Sequence, residues 1–343
     1  MTTDSRRTIA LDAMGGDFAP AQTVEGAVLA AKGSDVLIHL VGDPPTLREC
    51  LAAHPEAGEL PLSIVESEGV VEEGDQPALA LRRNPHSSIS VATRMVRDGK
   101  ADACVSMGST GAAMAAAAVM LGMMEGMERP CLGGPIMGLA PKTAIIDVGT
   151  NVDCRPSQLL SFAVIGEVFA NQFWGIQRPR VALLSVGAEA GKGNRQVRET
   201  GKLLEASGLN FVGNVEANDL PAGVVDVVVC DGFAGNIVMK LTEGLGESLV
   251  EHLLSAADGK VPPEALSLIK REILKSTHAV QARGGGPLLG VNGVSIVGHG
   301  RAEAMEVANA IATAEFALDI DFIPRLAERL RSLPAPAGAG AEA

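Results

Sequence analysis

The chain has 343 residues, enough for one large domain or two, with 47% hydrophobic residues to build a core, no Tyr and one Trp. A formal net charge of −13 argues against broad nucleic-acid binding, which needs a basic footprint. The five cysteines form no C-x-x-C pair, so no metal site is indicated; without a leader-like segment they fit a reducing cytoplasm. In chain order, a strand at 8–13 leads to a helix at 21–31, strands at 36–41 and 62–65, a helix at 88–98, a strand at 103–106 and an Ala-rich helix at 111–124. A strand at 143–148, a helix at 157–173, a strand at 181–186, a helix at 194–206 and a strand at 227–230 follow, and strand 294–297 and helix 303–317 close the series.

Continuous apolar runs such as Val227-Val228-Val229-Cys230 suit parallel strands covered on both faces. With the alternating order, they predict an α/β fold with a mainly parallel sheet. One region departs from this: from 235 to about 282 no strand is expected. Leu241, Leu245, Leu249 and Leu253 recur every fourth residue, Asp258-Gly259 and Pro262-Pro263 interrupt, and Leu266, Ile269 and Ile273 form a second stripe. The pattern predicts a single α/β catalytic domain over 1–331, carrying a projecting helical hairpin at about 236–282, and a disordered Pro/Ala/Gly-rich tail over 332–343. No apolar stretch reaches the ~18–20 residues that span a bilayer, so any membrane contact is expected to be peripheral.

Several glycine turns fall at the carboxyl ends of strands, where ligands of such folds bind. Gly108-Ser109-Thr110-Gly111 stands between an apolar strand and a strong helix former, which suits an oxyanion such as phosphate at free backbone N–H groups. An N-cap serving only its own helix is the alternative. Asp12-Ala13-Met14-Gly15-Gly16-Asp17 ends the first strand as either a substrate-lining loop or a turn whose carboxylates bond their own backbone. The segment 187–194 only superficially resembles a P-loop: Gly187 and Gly191 are one residue too close, and Gly193 replaces the required hydroxyl residue. Lys192 beside glycines still suits an oxyanion, or is an exposed lysine in a loop. Asp231-Gly232-Phe233-Ala234-Gly235-Asn236 repeats the strand, glycine and helix order, and Asn214 with Glu216 adds a polar pair. His299, between Gly298 and Gly300, is a candidate acid or base as well as a candidate structural residue. No G-x-G-x-x-G follows a strand and no G-x-S-x-G elbow appears, so neither a dinucleotide cofactor nor a serine nucleophile is indicated; Ser106 follows a strand without that turn.

Taken in order, these motifs resemble those of the bacterial phosphate acyltransferases of the PlsX type over about 9–317. The marks are Leu11 to Asp17, Ser87-Ser88-Ile89, Gly99 to Ala103, Ser109-Thr110-Gly111, Asp147-Val148-Gly149, Asn151-Val152-Asp153, Lys192-Gly193-Asn194, Gly213 to Glu216, Asp231-Gly232-Phe233, Leu288-Leu289-Gly290 and His299-Gly300. Two departures stand out: Ser109 replaces the usual Asn, and Glu189 lacks a second acidic neighbour. The resemblance implies a Rossmann-like three-layer α/β/α fold, a homodimer, peripheral association with the membrane from the cytoplasm, and transfer of an acyl group from acyl-acyl-carrier-protein to phosphate for phospholipid synthesis.

Chemically, phosphate is a competent nucleophile and a thiol a good leaving group, so no cofactor or metal is expected. The Ser109–Gly111 helix start and Lys192 are expected to hold phosphate. Asn214, Asn236 or backbone near Gly232 would serve the tetrahedral oxyanion, and His299 would protonate the departing thiolate. Asp12, Gly15, Gly16, Ser106, Thr110, Asn194 and Asp231 complete the expected substrate lining. Basic residues for the acidic carrier protein are Arg82, Arg83, Arg94, Arg97 and Lys100, or Lys270, Arg271 and Lys275. The hairpin tip at 253–268 is the expected membrane contact. A non-catalytic scaffold bridging carrier protein and membrane, and a dehydrogenase of related fold, are the other two classes.

Overall fold

The computed structural model describes residues 6–257, 259–279 and 283–332. Two compact units divide the chain: unit 1 comprises Met1–Met123 and Val280–Ile323, and unit 2 comprises Met124–Ala279 and Pro324–Ala343.

In unit 1, β1 (Thr8–Asp12), β2 (Leu37–Gly42), β3 (Leu62–Glu66) and β4 (Ala103–Ser106) are mutually parallel. Two later strands join them, β11 (Val294–Val297) parallel beside β4 and β10 (Gly286–Leu289) antiparallel beside β11. The order across the sheet is β3-β2-β1-β4-β11-β10. Ile9, Ala10 and Leu11 are fully buried, as a strand covered on both faces requires. Helices α1 (Ala21–Gly33) and α10 (Ala304–Asp319) pack together and onto the sheet. Their close approach depends on Gly26, where a Cβ would stand 2.5 Å from the Cβ of Val307. Helix α4 (Ser88–Arg97) packs on β1, β2 and β4. Helix α2 (Pro44–Ala52) begins at Asp43, whose carboxylate accepts the Thr46 N–H at 3.0 Å, and α3 (Pro77–Arg83) packs against α5 (Thr110–Ala116). The helix expected at 111–124 is shorter: α5 passes into a π turn at Ala117–Leu121 and stops at Gly122, whose φ of 78° ends the helical path.

In unit 2 the order is β5 (Cys131–Gly134), β6 (Ala144–Ile146), β9 (Val227–Val229), β7 (Val181–Leu184) and β8 (Phe211–Val215), all parallel except β5. Helix α6 (Pro156–Trp174) is almost wholly buried on this sheet. Burying one of its large side chains, such as Phe162, stabilises by about 1.5–3 kcal/mol. Gly166 lets α6 sit directly on Val227 and Ile146. Helix α7 (Arg195–Ala206) packs on α6, β7 and β8. Helices α8 (Gly232–Ala257) and α9 (Pro263–Thr277) form the expected hairpin, closed where Gly246 meets Thr277. Leu241, Leu245, Leu249 and Leu253 lie on the exposed side of α8, while Gly246 and Val250 are buried. The final helix, α11 (Phe322–Arg331), pairs Arg329 with Glu167 at 2.8 Å. Residues 280–282 at the expected hairpin end, and the tail from 333 onward, lie outside the described residues.

Candidate active site

Unit 1 gathers its polar residues at the carboxyl ends of β1 and β4. In-register pairing sets Asp12 beside Ser106, and the Ser106 hydroxyl donates to Asp12 Oδ2 at 2.7 Å. The same hydroxyl accepts the Gly108 N–H at 3.1 Å. Gly15 is needed here because a Cβ would stand 2.6 Å from Asp12 Oδ2 and 3.0 Å from Gly108 Cα. Gly16, at φ 112°, lies against the Met107 and Gly300 carbonyls, and Asp17 N–H donates to Gly300 C=O at 2.7 Å. Thus the loops after β1, β4 and β11 meet. A small pocket among them is lined by Asp12, Gly15, Ser106, Gly108, Ser109 and Ala112, with Val70, Val71 and Ile89 as its apolar wall.

The expected residues of this unit are therefore partly united. Asp12, Gly15, Ser106 and Ser109 share the pocket, and Gly16 adjoins it. Ser109 also caps α5, accepting the Ala112 N–H at 3.4 Å, so part of its capacity serves its own helix. Thr110 is exposed, and Gly111 lies against Pro77 of α3 rather than in the pocket lining. His299 reaches the cluster only through its neighbour Gly300; its own Nδ1 accepts the Arg301 N–H at 3.2 Å.

Burial pushes the Asp12 carboxyl above the ordinary carboxylate range, while the Ser88 and Ser106 hydroxyls and the Met14 and Gly15 N–H groups act in the opposite sense. The native state therefore holds this proton to higher pH than the unfolded chain, and above the unfolded value of 3.8 the slope of unfolding free energy with pH is negative. Asp12 contributes most favourably at low pH, and that contribution is lost as pH rises through the folded value. Amide exchange of β1 should show Asp12→Asn gaining stability relative to the parent as pH rises above the unfolded value of 3.8. A difference that does not change with pH would contradict this. The neighbouring Cys104 thiol is pushed up to about 12 by burial, which makes it a small apolar residue rather than a nucleophile.

Unit 2 carries a second polar cluster, centred on a residue absent from the expected set. Asp147 follows β6, is fully buried, and adopts φ 70°. Its Oδ1 accepts from Thr150 N–H at 2.8 Å, Thr150 Oγ1 at 2.5 Å and Gly149 N–H at 3.2 Å. Oδ2 accepts from Asn151 N–H at 3.0 Å and Asn151 Nδ2 at 2.8 Å. Burial raises the Asp147 carboxyl, and these donors, Thr150 first, oppose the rise. The turn so fixed receives the start of α8: Gly232 N–H donates to Asn151 C=O at 2.7 Å, and Gly235 sits directly on the Asp147 carbonyl. Asp231 caps α8 by accepting the Ala234 N–H at 2.8 Å, and the exposed Asn236 lies beside Gly149. The signal for Asp147 and Asn151 was present as the run Asp147-x-Gly149-x-Asn151, whose short polar side chains suit a turn satisfied by its own carboxylate.

Lys192 and Asn214 converge through Glu189. Lys192 N–H donates to the Glu189 carbonyl at 2.9 Å, and Asn214 Nδ2 donates to that same oxygen at 3.1 Å. The Lys192 side chain is exposed. Asn194 caps α7 through Val197 N–H at 2.9 Å, a structural task that accounts for its amide oxygen. Gln196 then joins α7 to the Asp147 turn region by donating to the Cys154 carbonyl at 2.6 Å.

In open α/β folds of this kind, ligands bind outside the carboxyl ends of the strands, where the polar loops of each unit lie. Comparison with known proteins carries this further. The family model described as "Fatty acid synthesis protein" matches residues 7–325, and the chain belongs to that family. Phosphate acyltransferase of Pelotomaculum thermopropionicum is 45% identical over 327 residues, covering 94% of each chain. That of Synechocystis sp. is 43% identical over 323 residues, covering 92% of each. The chain is accordingly an acyltransferase of the phosphate acyltransferase type. Among solved structures, a phosphotransacetylase from Streptococcus pyogenes has a similar fold, with TM-score 0.60, 16% identity and 95% of each chain covered.

Proposed function

We propose that the chain transfers the fatty acyl group of acyl-acyl-carrier-protein to inorganic phosphate, giving acyl phosphate for phospholipid synthesis. The observation that carries this reading is the unit 1 pocket, where a buried carboxyl, two serine hydroxyls and glycine backbone converge in a chain of the phosphate acyltransferase type. A phosphate oxygen attacks the thioester carbonyl carbon, the tetrahedral oxyanion collapses, the C–S bond breaks, and the thiolate takes a proton. In unit 1 the Ser109 turn, Ser106 and Asp12 receive phosphate; Gly15 and Gly16 let it approach the backbone. In unit 2 exposed Lys192 supplies positive charge to anionic substrate, and Asn214 and Asn236 are amide donors for a developing oxyanion. Hydroxylamine added to the complete reaction should trap an acyl hydroxamate, returning the phosphate, in proportion to the free thiol released and only when phosphate is present. Free fatty acid as the sole product would count against acyl phosphate.

Two basic surfaces suit the acidic carrier protein, one on α3 and α4 with Arg82, Arg83, Arg94 and Arg97, the other on α9 with Lys270, Arg271 and Lys275. Charge reversal at the docking surface should weaken carrier binding and flatten its salt dependence; reversal at both with no change would remove this assignment.

No helix among the described residues is long and apolar enough to cross a membrane. Peripheral contact is assigned to the hairpin tip, where Leu253 and Leu268 are exposed. Replacing Leu253, Leu254 and Val261 with Ser should abolish liposome binding, and binding that survives would exclude the tip. The exposed row Phe233, Ile237, Leu241, Leu245 and Leu249 on α8 supports a homodimer, since an apolar face of this length favours a partner. Sedimentation at twice the monomer mass is the expected result, and monomer mass would exclude the dimer.

A further inference from the structure

Unit 1 carries a basic, acid-free stretch beside its polar cluster. No Asp or Glu occurs between Arg283 and Arg301, in a chain with 41 acidic residues and a net charge of −13. The stretch folds so that its two ends meet. Antiparallel β10 and β11 pair Gly286 with Val297, and a Cβ on Gly285 would stand 2.6 Å from the Val297 carbonyl oxygen and 2.9 Å from Gly298 Cα. Glycine at φ 150° is required there for the loops that carry Arg283 and Arg301 to touch. The second loop is fixed from within: His299 Nδ1 accepts the Arg301 N–H at 3.2 Å, and the His299 carbonyl accepts the Ala302 N–H at 3.0 Å. It is also tied to the pocket loops, since Gly298 N–H donates to the Ser106 carbonyl at 2.9 Å and Asp17 N–H donates to that of Gly300.

Neither arginine has a counterion: the ion pairs among the described residues of unit 1 leave both out. Glu303 and Glu306, the next acids in the chain, are engaged in the capping box of α10. The Asp17 carboxylate approaches Gly300 but pairs with neither arginine. Arg283 keeps an exposed surface, yet surrounding protein crowds its guanidinium enough to lower its pKa, with no acid acting in the opposite sense. A guanidinium that has lost part of its hydration without gaining a partner favours an oxyanion, which its planar fork can meet with two hydrogen bonds. The adjoining pocket has no Lys, Arg or His in its lining, so positive charge for an anion there comes from outside that lining.

We propose that Arg283 and Arg301 form a binding site for a phosphate oxyanion at the edge of the unit 1 cluster. The inference rests on the reading that the chain transfers an acyl group to phosphate. Two substrates of that reaction bring the required chemistry: inorganic phosphate, and the phosphodiester through which a carrier protein holds its pantetheine arm. Both offer the same oxygens to the two guanidiniums, and the experiment separates them.

The test titrates the full chain by calorimetry with inorganic phosphate, phosphopantetheine and pantetheine, and measures phosphate-dependent thiol release alongside. Arg283→Gln and Arg301→Gln remove the charge and keep a polar side chain. Each should weaken the phosphate compound that binds here about tenfold, and the double variant about 10²-fold. Arg283→Lys keeps the charge without the fork and should recover part of the loss. Weakened inorganic phosphate identifies the acceptor substrate as the ligand. Weakened phosphopantetheine with pantetheine unchanged identifies the donor's arm, and either result supports the site. Unchanged affinity for both phosphate compounds in the folded double variant overturns it, as does an equal loss for pantetheine, which carries no phosphate. Failure of the parent protein to bind either phosphate compound overturns it without any variant. Phosphate-dependent thiol release tests the underlying reading separately: its absence in the parent protein removes acyl transfer to phosphate, while the titrations still decide the site.

Discussion

Asp147→Ala is expected to destabilise unit 2 by about 4 kcal/mol, among the largest effects of any single change in the chain. Removing the carboxylate takes an acceptor from five donors, on Gly149, Thr150 and Asn151; the buried Asn151 N–H loses its partner, while Asn151 Nδ2 keeps the Pro130 carbonyl at 2.9 Å. Stranding buried donors costs about 1–3 kcal/mol per group where water cannot replace the lost acceptor. Alanine at φ 70° adds about 1–2 kcal/mol of left-handed strain. Asp147→Asn keeps one acceptor oxygen and tolerates this backbone, so its loss should be about half as large. The single tryptophan, Trp174, ends α6 and packs edge-on against Phe169, so its fluorescence in urea reports the unfolding of this unit. Equal midpoints for Asp147→Ala and the parent would show that the turn is held by other contacts.

Lys192→Ala is expected to lower kcat/KM for phosphate by about 10²-fold while leaving the urea midpoint unchanged. The turn is closed by the Lys192 backbone N–H, which alanine retains, and by Asn214 Nδ2, which is untouched. Only the exposed ammonium is lost. An unchanged Michaelis constant for phosphate together with unchanged turnover would free Lys192 from any part in the reaction.

Much of the α/β order was legible because it rests on long, simple periodicities. The runs at β1, β4 and β9 are apolar on both faces, and the Leu row of α8 repeats every fourth residue. Strands β5, β8 and β10 escaped notice because each is short and glycine-bearing: Cys131-Leu132-Gly133-Gly134, Phe211-Val212-Gly213-Asn214-Val215 and Gly286-Pro287-Leu288-Leu289. Their pairing comes from neighbouring strands, which local propensity does not contain. Strand β6 ends two residues before its expected limit because Asp147 turns the backbone to positive φ. At the candidate site, Asp12 and Ser106 could be listed from motifs, but their 2.7 Å hydrogen bond arises from parallel register across 94 residues of sequence. Ser109, Asn194 and Asp231 show the opposite lesson, since each side chain caps its own helix, a role a motif cannot separate from ligand binding.

The most direct measurement is free thiol release from palmitoyl-acyl-carrier-protein by the purified chain, with and without inorganic phosphate. The account predicts thiol release only when phosphate is present, saturating with its concentration. Release at the same rate in phosphate-free buffer would identify a thioesterase and contradict it.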